Sequence, residues 1–263
     1  WELCLSDGSG QSSPLEGYLN QLEQREHRVK VIRHDTPQKI SENTNAAIQK
    51  ATGDFIVFAD HDDLLAPDAL YECANALRQH PKTELIYSDE DKVSMNGKRY
   101  FEPHFKSDYN PDLLCSMNYF CHLVVVKRSL MERTGLLNGE FDGAQDYDFV
   151  LRCTEHTQNI YHIPKVLYHW RAHENSTAEN PESKQYAFEA GRRAVEAHYL
   201  RRNLPAVVEQ GEYPGLYRTF WQWQEQPLIS ILIPNKDHIE DLDQCIRSIE
   251  EKSTYRNYEY III

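Results

Sequence analysis

The sequence predicts an α/β fold built on a mostly parallel central sheet flanked by helices. Three observations carry this. The first sixty residues alternate strand, helix, strand, helix, strand, the order that makes parallel sheets. Phe55-Ile56-Val57-Phe58-Ala59 is a short β-branched and aromatic run with no polar face, as expected of a strand covered on both sides. That run, like Leu85-Ile86-Tyr87, ends in acids (Asp60-His61-Asp62-Asp63 and Ser88-Asp89-Glu90-Asp91). A buried strand delivers such residues to the carboxyl edge, where open α/β sheets bind ligands.

Element by element, Leu3 and Leu5 alternate with Glu2 and Cys4 before a Ser6-Asp7-Gly8-Ser9-Gly10 turn that sets Asp7 at the sheet edge. Pro14 to Gln24 reads as a helix with Leu15, Tyr18, Leu19 and Leu22 on one face, and Val29–Ile32 as a strand. Ser41 to Ala51 reads as a second helix with Ser41 as its cap. Pro67 opens a third, carrying Leu70, Cys73, Ala74 and Leu77. Asn96-Gly97 marks a hairpin over 92–101. Tyr119 to Val126 reads as a strand, Ser129 to Thr134 as a short helix stopped by Gly135, and Asp146 to about Thr157 as a helix facing the core with Phe149, Val150 and Cys153. Ile160 to Tyr168 reads as a strand pair interrupted by Pro164, and Ser183 to Asn203 as a long amphipathic helix.

Residues 211–226, rich in aromatics and turn formers, read as a strand and linker, after which the pattern restarts with Leu228–Ile233, a helix and Tyr258–Ile263. Trp1-Glu2-Leu3-Cys4-Leu5 and Tyr258-Glu259-Tyr260-Ile261-Ile262 share an order of aromatic, Glu and apolar residues, so an internal repeat is expected. Domain boundaries follow: 1–210 as one domain lacking its first strand and helix, and 227–263 as the opening of a second. Both ends are expected to be cut, and 228–251 are candidates to fill the vacant position.

The 263 residues carry a formal net charge of −13, which excludes nonspecific nucleic-acid binding and a polybasic membrane anchor. None of the six cysteines forms a CxxC pair, so reduced, buried thiols of a cytoplasmic protein are expected. No stretch reaches the length of a membrane span.

In an extended chain Asp60 and Asp62 point the same way and His61 the other. Two carboxylates on one side make a hard-oxygen site for Mg²⁺ or Mn²⁺. The competing reading is an acidic turn in which Asp63 or Asp68 caps the next helix. For Asp146, at a helix start, the competing reading is favourable placement in the helix dipole.

The ordered set Ser6-Asp7-Gly8-Ser9, Asp60-His61-Asp62-Asp63, Tyr87-Ser88-Asp89-Glu90-Asp91, Gln145-Asp146-Tyr147-Asp148 and His169-Trp170-Arg171-Ala172-His173 resembles the family 2 glycosyltransferases of GT-A fold. More narrowly, it is similar to bacterial tandem-domain enzymes of rhamnan and O-antigen synthesis. The resemblance implies a base contact for Asp7, a ribose and metal-diphosphate pair in Asp60 and Asp62, and a catalytic base in Asp146. It also implies a metal ligand in His173 beside Asp62, a phosphate-facing Arg171 or His169, and a donor or acceptor pocket lined by Asp89 and Asp91. It further implies Mn²⁺ or Mg²⁺, a UDP- or dTDP-sugar donor, a glycan or lipid-linked glycan acceptor, and a place in the cytoplasm or at the inner face of the membrane. The sequence departs from the family pattern at Ser6, Lys39 and Gln145, where an acid, a glycine and an acid are usual. Two other classes compete. A degenerate scaffold module would not need Asp60, Asp62, Asp146 and His173 intact. A sugar nucleotidyltransferase would want a basic phosphate loop, and Ser6 to Ser13 holds no Lys or Arg.

Overall fold

The computed structural model of the protein describes residues 1–11, 13–172, 185–222 and 225–263. The chain forms two compact units, Trp1–Phe220 and Trp221–Ile263.

The first unit opens with a parallel βαβ: β1 (Leu3–Asp7), α1 (Glu16–Arg25) and β2 (Val29–Arg33), with Leu3 opposite Val29 and Asp7 opposite Arg33. Then α2 (Ile40–Lys50) leads into β3 (Phe55–Phe58), followed by β4 (Leu64–Leu65), α3 (Ala69–Gln79), β5 (Leu85–Ser94) and β6 (Tyr100–His104). Next come α4 (Pro111–Ser116), β7 (Val124–Lys127), α5 (Arg128–Thr134), α6 (Gln145–His156), β8 (Ile160–Ala172), α7 (Gln185–Arg201) and the paired strands β9 (Ala206–Gln210) and β10 (Tyr217–Trp221). A six-stranded sheet runs β3-β7-β5-β8-β4, with β6 added to β5.

That sheet is mixed rather than mostly parallel. Only β5–β8 is parallel, whereas β3–β7, β5–β7, β5–β6 and β4–β8 are antiparallel. The first residues of β5 take β7 as neighbour (Leu85 to Tyr87) and the later ones take β6 (Glu90 to Val93), while β8 covers the opposite edge throughout. β5 therefore runs straight through its acids instead of stopping at Tyr87. Each acid meets a base: Asp89 with His162, Glu90 with Lys106 and His104, Asp91 with His169. Paired charges are tolerated in a sheet interior where unpaired ones are not. Likewise β8 is one strand, not two. The register slips between Ser88↔Ile163 and Asp89↔Val166, so Pro164 falls in a bulge and withdraws no ladder donor.

Other expectations shift. β7 begins at Val124, and residues 119–123 lie outside regular structure. Residues 217–221 form β10, the strand expected within 211–226. The buried stripe of α3 is Ala69, Cys73 and Ala76, with Leu70 exposed; that face packs in one cluster with Ile86, Val125, Ile163 and Leu167. Ser41 does not cap α2. It is buried and donates to Asp142 Oδ1, while the Lys39 amide takes Glu42 Oε2 at 3.3 Å. The core lies between the sheet and α6–α7, where Leu85, Tyr87, Val126, Phe149, Leu151, Ala190 and Ala194 are buried. The small residues of α7 let it approach closely; a Cβ on Gly191 would stand 2.0 Å from the Tyr217 hydroxyl. All six cysteines are free thiols; Cys73, Cys115 and Cys153 are buried and Cys245 is exposed.

The second unit is a βαβ of its own: β11 (Ile229–Ile233), α8 (Ile239–Lys252) and β12 (Tyr258–Ile262), the strands parallel with Ile229 opposite Tyr258. No helix among the described residues is long and apolar enough to cross a membrane.

Candidate active site

The acidic stretch after β3 is a turn. The Asp63 amide donates to Asp60 O at 3.4 Å, so strand alternation stops at Phe58 and does not set which acids meet. The turn is fixed by β8. The Tyr168 hydroxyl accepts the Asp60 amide at 3.0 Å and donates to Asp63 Oδ2 at 2.7 Å, and the Arg171 amide donates to Asp63 Oδ1 at 2.8 Å. Asp63 is thus an anchor of its own loop, not a helix cap, and His61 is exposed rather than turned to the core. Ligand atoms of Asp60, Asp63 and His122 lie within 4.8 Å of one another. His122 Nε2 is 3.7 Å from Asp60 Oδ2, and its ring stacks on Tyr168 with centroids 4.4 Å apart. His122 Nδ1 is buried without a hydrogen-bond partner among the described residues. Burial in the cleft and the crowding of Asp63, Asp146 and Asp62 raise the Asp60 carboxyl, and His122 opposes them. Because 60 % of the Asp60 side chain still meets solvent, the clustered negative charge is the firmer of those causes. Such a cluster is relieved by a divalent cation, and carboxylate oxygens with one imidazole suit Mn²⁺ or Mg²⁺.

Arg171 spends much of its side chain on this loop. Nε donates to Asp62 O and Nη1 to Met95 O at 2.8 Å, tying the acidic turn to the β5–β6 hairpin. His173 lies outside the described residues, and so does its expected place beside Asp62 as a metal ligand.

Asp146 sits on the first turn of α6, and the Asn118 side-chain Nδ2 donates to its Oδ2 at 2.9 Å. It opens on a cavity of about 660 Å³ lined mainly by apolar groups, among them Met117, Trp170, Tyr186 and Tyr217. The cavity's far wall comes from α7 and β10. Asp148, two residues on, is buried and paired with Arg152 at 2.9 Å. The helix period thus turns the two acids of one motif to opposite duties.

Asp7 borders a separate cavity of about 240 Å³ with Arg33, His34 and Asp35. Burial would raise its carboxyl, yet hydrogen bonds from Ser13 and Ser9 and the Arg33 charge outweigh burial and hold it below the ordinary range. Asp89 and Asp91 do not join the cluster. Asp89 Oδ1 accepts the Lys106 amide at 2.9 Å and meets His162 Nε2 at 2.8 Å, fully inside the sheet. Asp91 Oδ1 meets His169 Nδ1 at 2.5 Å. The structure therefore gathers Asp60, Asp63 and His122, with Asp62 on the same turn and Asp146 near enough to bear on the Asp60 charge. Sequence reasoning missed Asn118 and His122. Their one signal was polarity out of place: His122 inside the run 119–126 read as strand, and Asn118 just before it.

These features agree with comparisons to known proteins. The family model for glycosyl transferase family 2 matches residues 1–134. The chain belongs to that family. An uncharacterized protein, y4gI of Sinorhizobium fredii, is 41 % identical across the whole chain, which spans 29 % of its length. The O-antigen biosynthesis protein RfbC of Myxococcus xanthus is 34 % identical across the whole chain, which spans 20 % of it. The chain is thus under a third as long as either relative. Among solved structures, S. aureus TarS 1–349 superposes with a TM-score of 0.54 at 15 % identity, over 73 % of this chain and 54 % of that one. At that identity the likeness is one of fold.

Proposed function

We propose that the first unit is an inverting, divalent-metal-dependent glycosyltransferase. It moves a sugar from a nucleotide-diphosphate donor, a UDP- or dTDP-sugar, to a glycan or lipid-linked glycan acceptor in bacterial surface polysaccharide synthesis. One observation carries this reading: Asp146 faces the 660 Å³ cavity on one side and bears on the Asp60 carboxylate cluster on the other. A proton acceptor beside an acceptor-sized cavity adjoins a site that attracts a cation and, with it, a diphosphate.

Asp60 and Asp63, with His122, would hold the Mn²⁺ or Mg²⁺ ion, which when bound offsets the negative charge of a departing diphosphate. Asp146 takes the proton of the acceptor hydroxyl as that oxygen attacks the anomeric carbon. The bond to the diphosphate oxygen breaks on the opposite side, giving inversion. Asn118 fixes one oxygen of Asp146 for this task. The aromatic wall of Trp170, Tyr186 and Tyr217 offers apolar faces against which a sugar ring packs. Asp7, held ionised in its own cavity, is the candidate acceptor of a base N–H. The relation to RfbC supports the polysaccharide context.

The test is a nucleotide-release and transfer assay over a panel of UDP- and dTDP-sugars, with and without Mn²⁺. Transfer by wild type that Asp146→Asn abolishes, with UDP binding retained, supports the assignment. Wild-type turnover by Asp146→Asn refutes it.

A further inference from the structure

We propose that the buried Lys106–Glu90 ion pair is a positioning device that holds residues 118–122 against both ends of the active site at once. This rests on the transferase reading above.

Lys106 lies between β6 and α4 with none of its side chain exposed. Its Nζ donates to Phe120 O at 2.7 Å and to His122 O at 2.5 Å, and stands 3.4 Å from Glu90 Oε2. Glu90, on β5, accepts the His122 amide on the same Oε2 at 3.1 Å, and its Oε1 is 3.4 Å from His104 Nδ1. Two carbonyls and one amide of the segment are therefore gripped by opposite charges, Glu90 on the sheet and Lys106 on the connection after β6.

The grip matters because residues 117–123 belong to no strand or helix. Without a ladder, backbone groups in such a segment need side-chain partners. Three side chains projecting from it reach the site. Asn118 holds Asp146 at 2.9 Å. Cys121 lines the Asp146 cavity, with Sγ donating to Asn118 O at 3.0 Å. His122 faces Asp60 at 3.7 Å. One short segment thus touches both the base and the donor-side carboxylate, and its position is set by Lys106 and Glu90, neither of which lies in the cavity lining.

Stability alone is a poor explanation for the pair. Replacing a buried ion pair by apolar groups of similar volume is often neutral or stabilising, because desolvation cancels the attraction. Fixing two reacting groups in one geometry is where such a pair acts, since small misplacements cost rate steeply.

The experiment compares the full-length protein with a variant carrying Glu90→Gln and Lys106→Met together, which removes both charges and conserves volume. Thermal unfolding, UDP binding with Mn²⁺ by calorimetry, and kcat and donor KM are measured. The expected result is a folded protein with kcat lowered by about tenfold or more, through Asn118 and Asp146, and with Mn²⁺-dependent UDP affinity lowered, through His122. Asn118→Ala is expected to lower kcat comparably. Adding it to the pair variant should lower kcat little further, because both act through Asp146. A folded pair variant with wild-type kcat, or losses that multiply in full, overturns the proposal. If the pair variant does not fold, Glu90→Gln alone removes the charge that faces Lys106 and the His122 backbone amide, and is expected to lower kcat and Mn²⁺-dependent UDP affinity in the same direction by a smaller factor. A crystal structure of either variant is a readout independent of activity. Residues 118–122 unmoved, with Asn118 still bonded to Asp146, overturn the positioning role, whereas a shifted segment supports it. Wild type that transfers no sugar from any donor refutes the function proposed above, a result separate from these.

Discussion

Tyr168→Phe deletes one oxygen at the hinge between β8 and the acidic turn. That hydroxyl accepts from the Asp60 amide at 3.0 Å and donates to the Asp63 carboxylate at 2.7 Å. A hydrogen bond to a charged group contributes roughly 1.5–3 kcal/mol and a neutral one roughly 0.5–1.5 kcal/mol. Tyr168 is buried, but Asp63 is only half-buried, so water recovers part of the loss and the sum falls near the lower end, about 2 kcal/mol. In a chain of this size each kcal/mol moves the melting temperature by about 2–4 °C, giving a fall of about 4–8 °C. The ring stays stacked on His122, so packing is conserved. Scanning calorimetry reads the shift, and repeating it with Mn²⁺ reads the site. With Asp60 and Asp63 no longer tied to one hydroxyl, added Mn²⁺ should stabilise the variant less than it stabilises wild type. A variant with an unchanged melting temperature and an undiminished response to Mn²⁺ would show that Tyr168 does not organise the acidic turn.

Three further outcomes are expected. Gly191→Ala drives a methyl into the Tyr217 hydroxyl. It should cost about 1–3 kcal/mol in urea unfolding and raise the acceptor KM, since Tyr217 lines the cavity. Glu155 joins α6 to α7 through His198 at 2.7 Å and Arg201 at 2.7 Å. Burial would raise its carboxyl, but those two bases hold it below the ordinary range. A depressed folded value means that the stabilisation is present above the unfolded carboxylate value, about 4.3, and is lost as pH falls through the lower folded value. Glu155→Gln should therefore melt well below wild type at neutral pH, with the gap closing in strong acid; a pH-independent gap would refute the linkage. Asp7→Asn should weaken UDP binding measured by calorimetry while leaving melting nearly unchanged, and equal affinity would remove Asp7 from the nucleotide site.

Much of the fold was legible because it rests on local rules. The βαβ openings, the Asn96-Gly97 hairpin (Gly97 has φ +69°) and the Gly135 stop (φ +81°) follow from apolar period and turn chemistry. The acids at strand ends and Asp146 at a helix start were equally visible, since residue type and spacing fix them. Where partners come from far along the chain, the sequence was silent. Strand alternation paired Asp60 with Asp62, but a turn held by Tyr168 brings Asp63 and His122 to Asp60 instead. Asp89 and Asp91 look like site acids until His162 and His169, more than seventy residues on, are found hydrogen-bonded to them on the sheet. Arg171 was visible only as a cation near the acids; the structure shows that two of its donors tie the Asp62 and Met95 carbonyls together. By itself the sequence determined the chemistry available: carboxylates in order along an α/β chain. Only the tertiary structure decided which of them are left facing a cavity and which are tied to a partner, because a carboxylate's role depends on which cation or donor folding sets beside it.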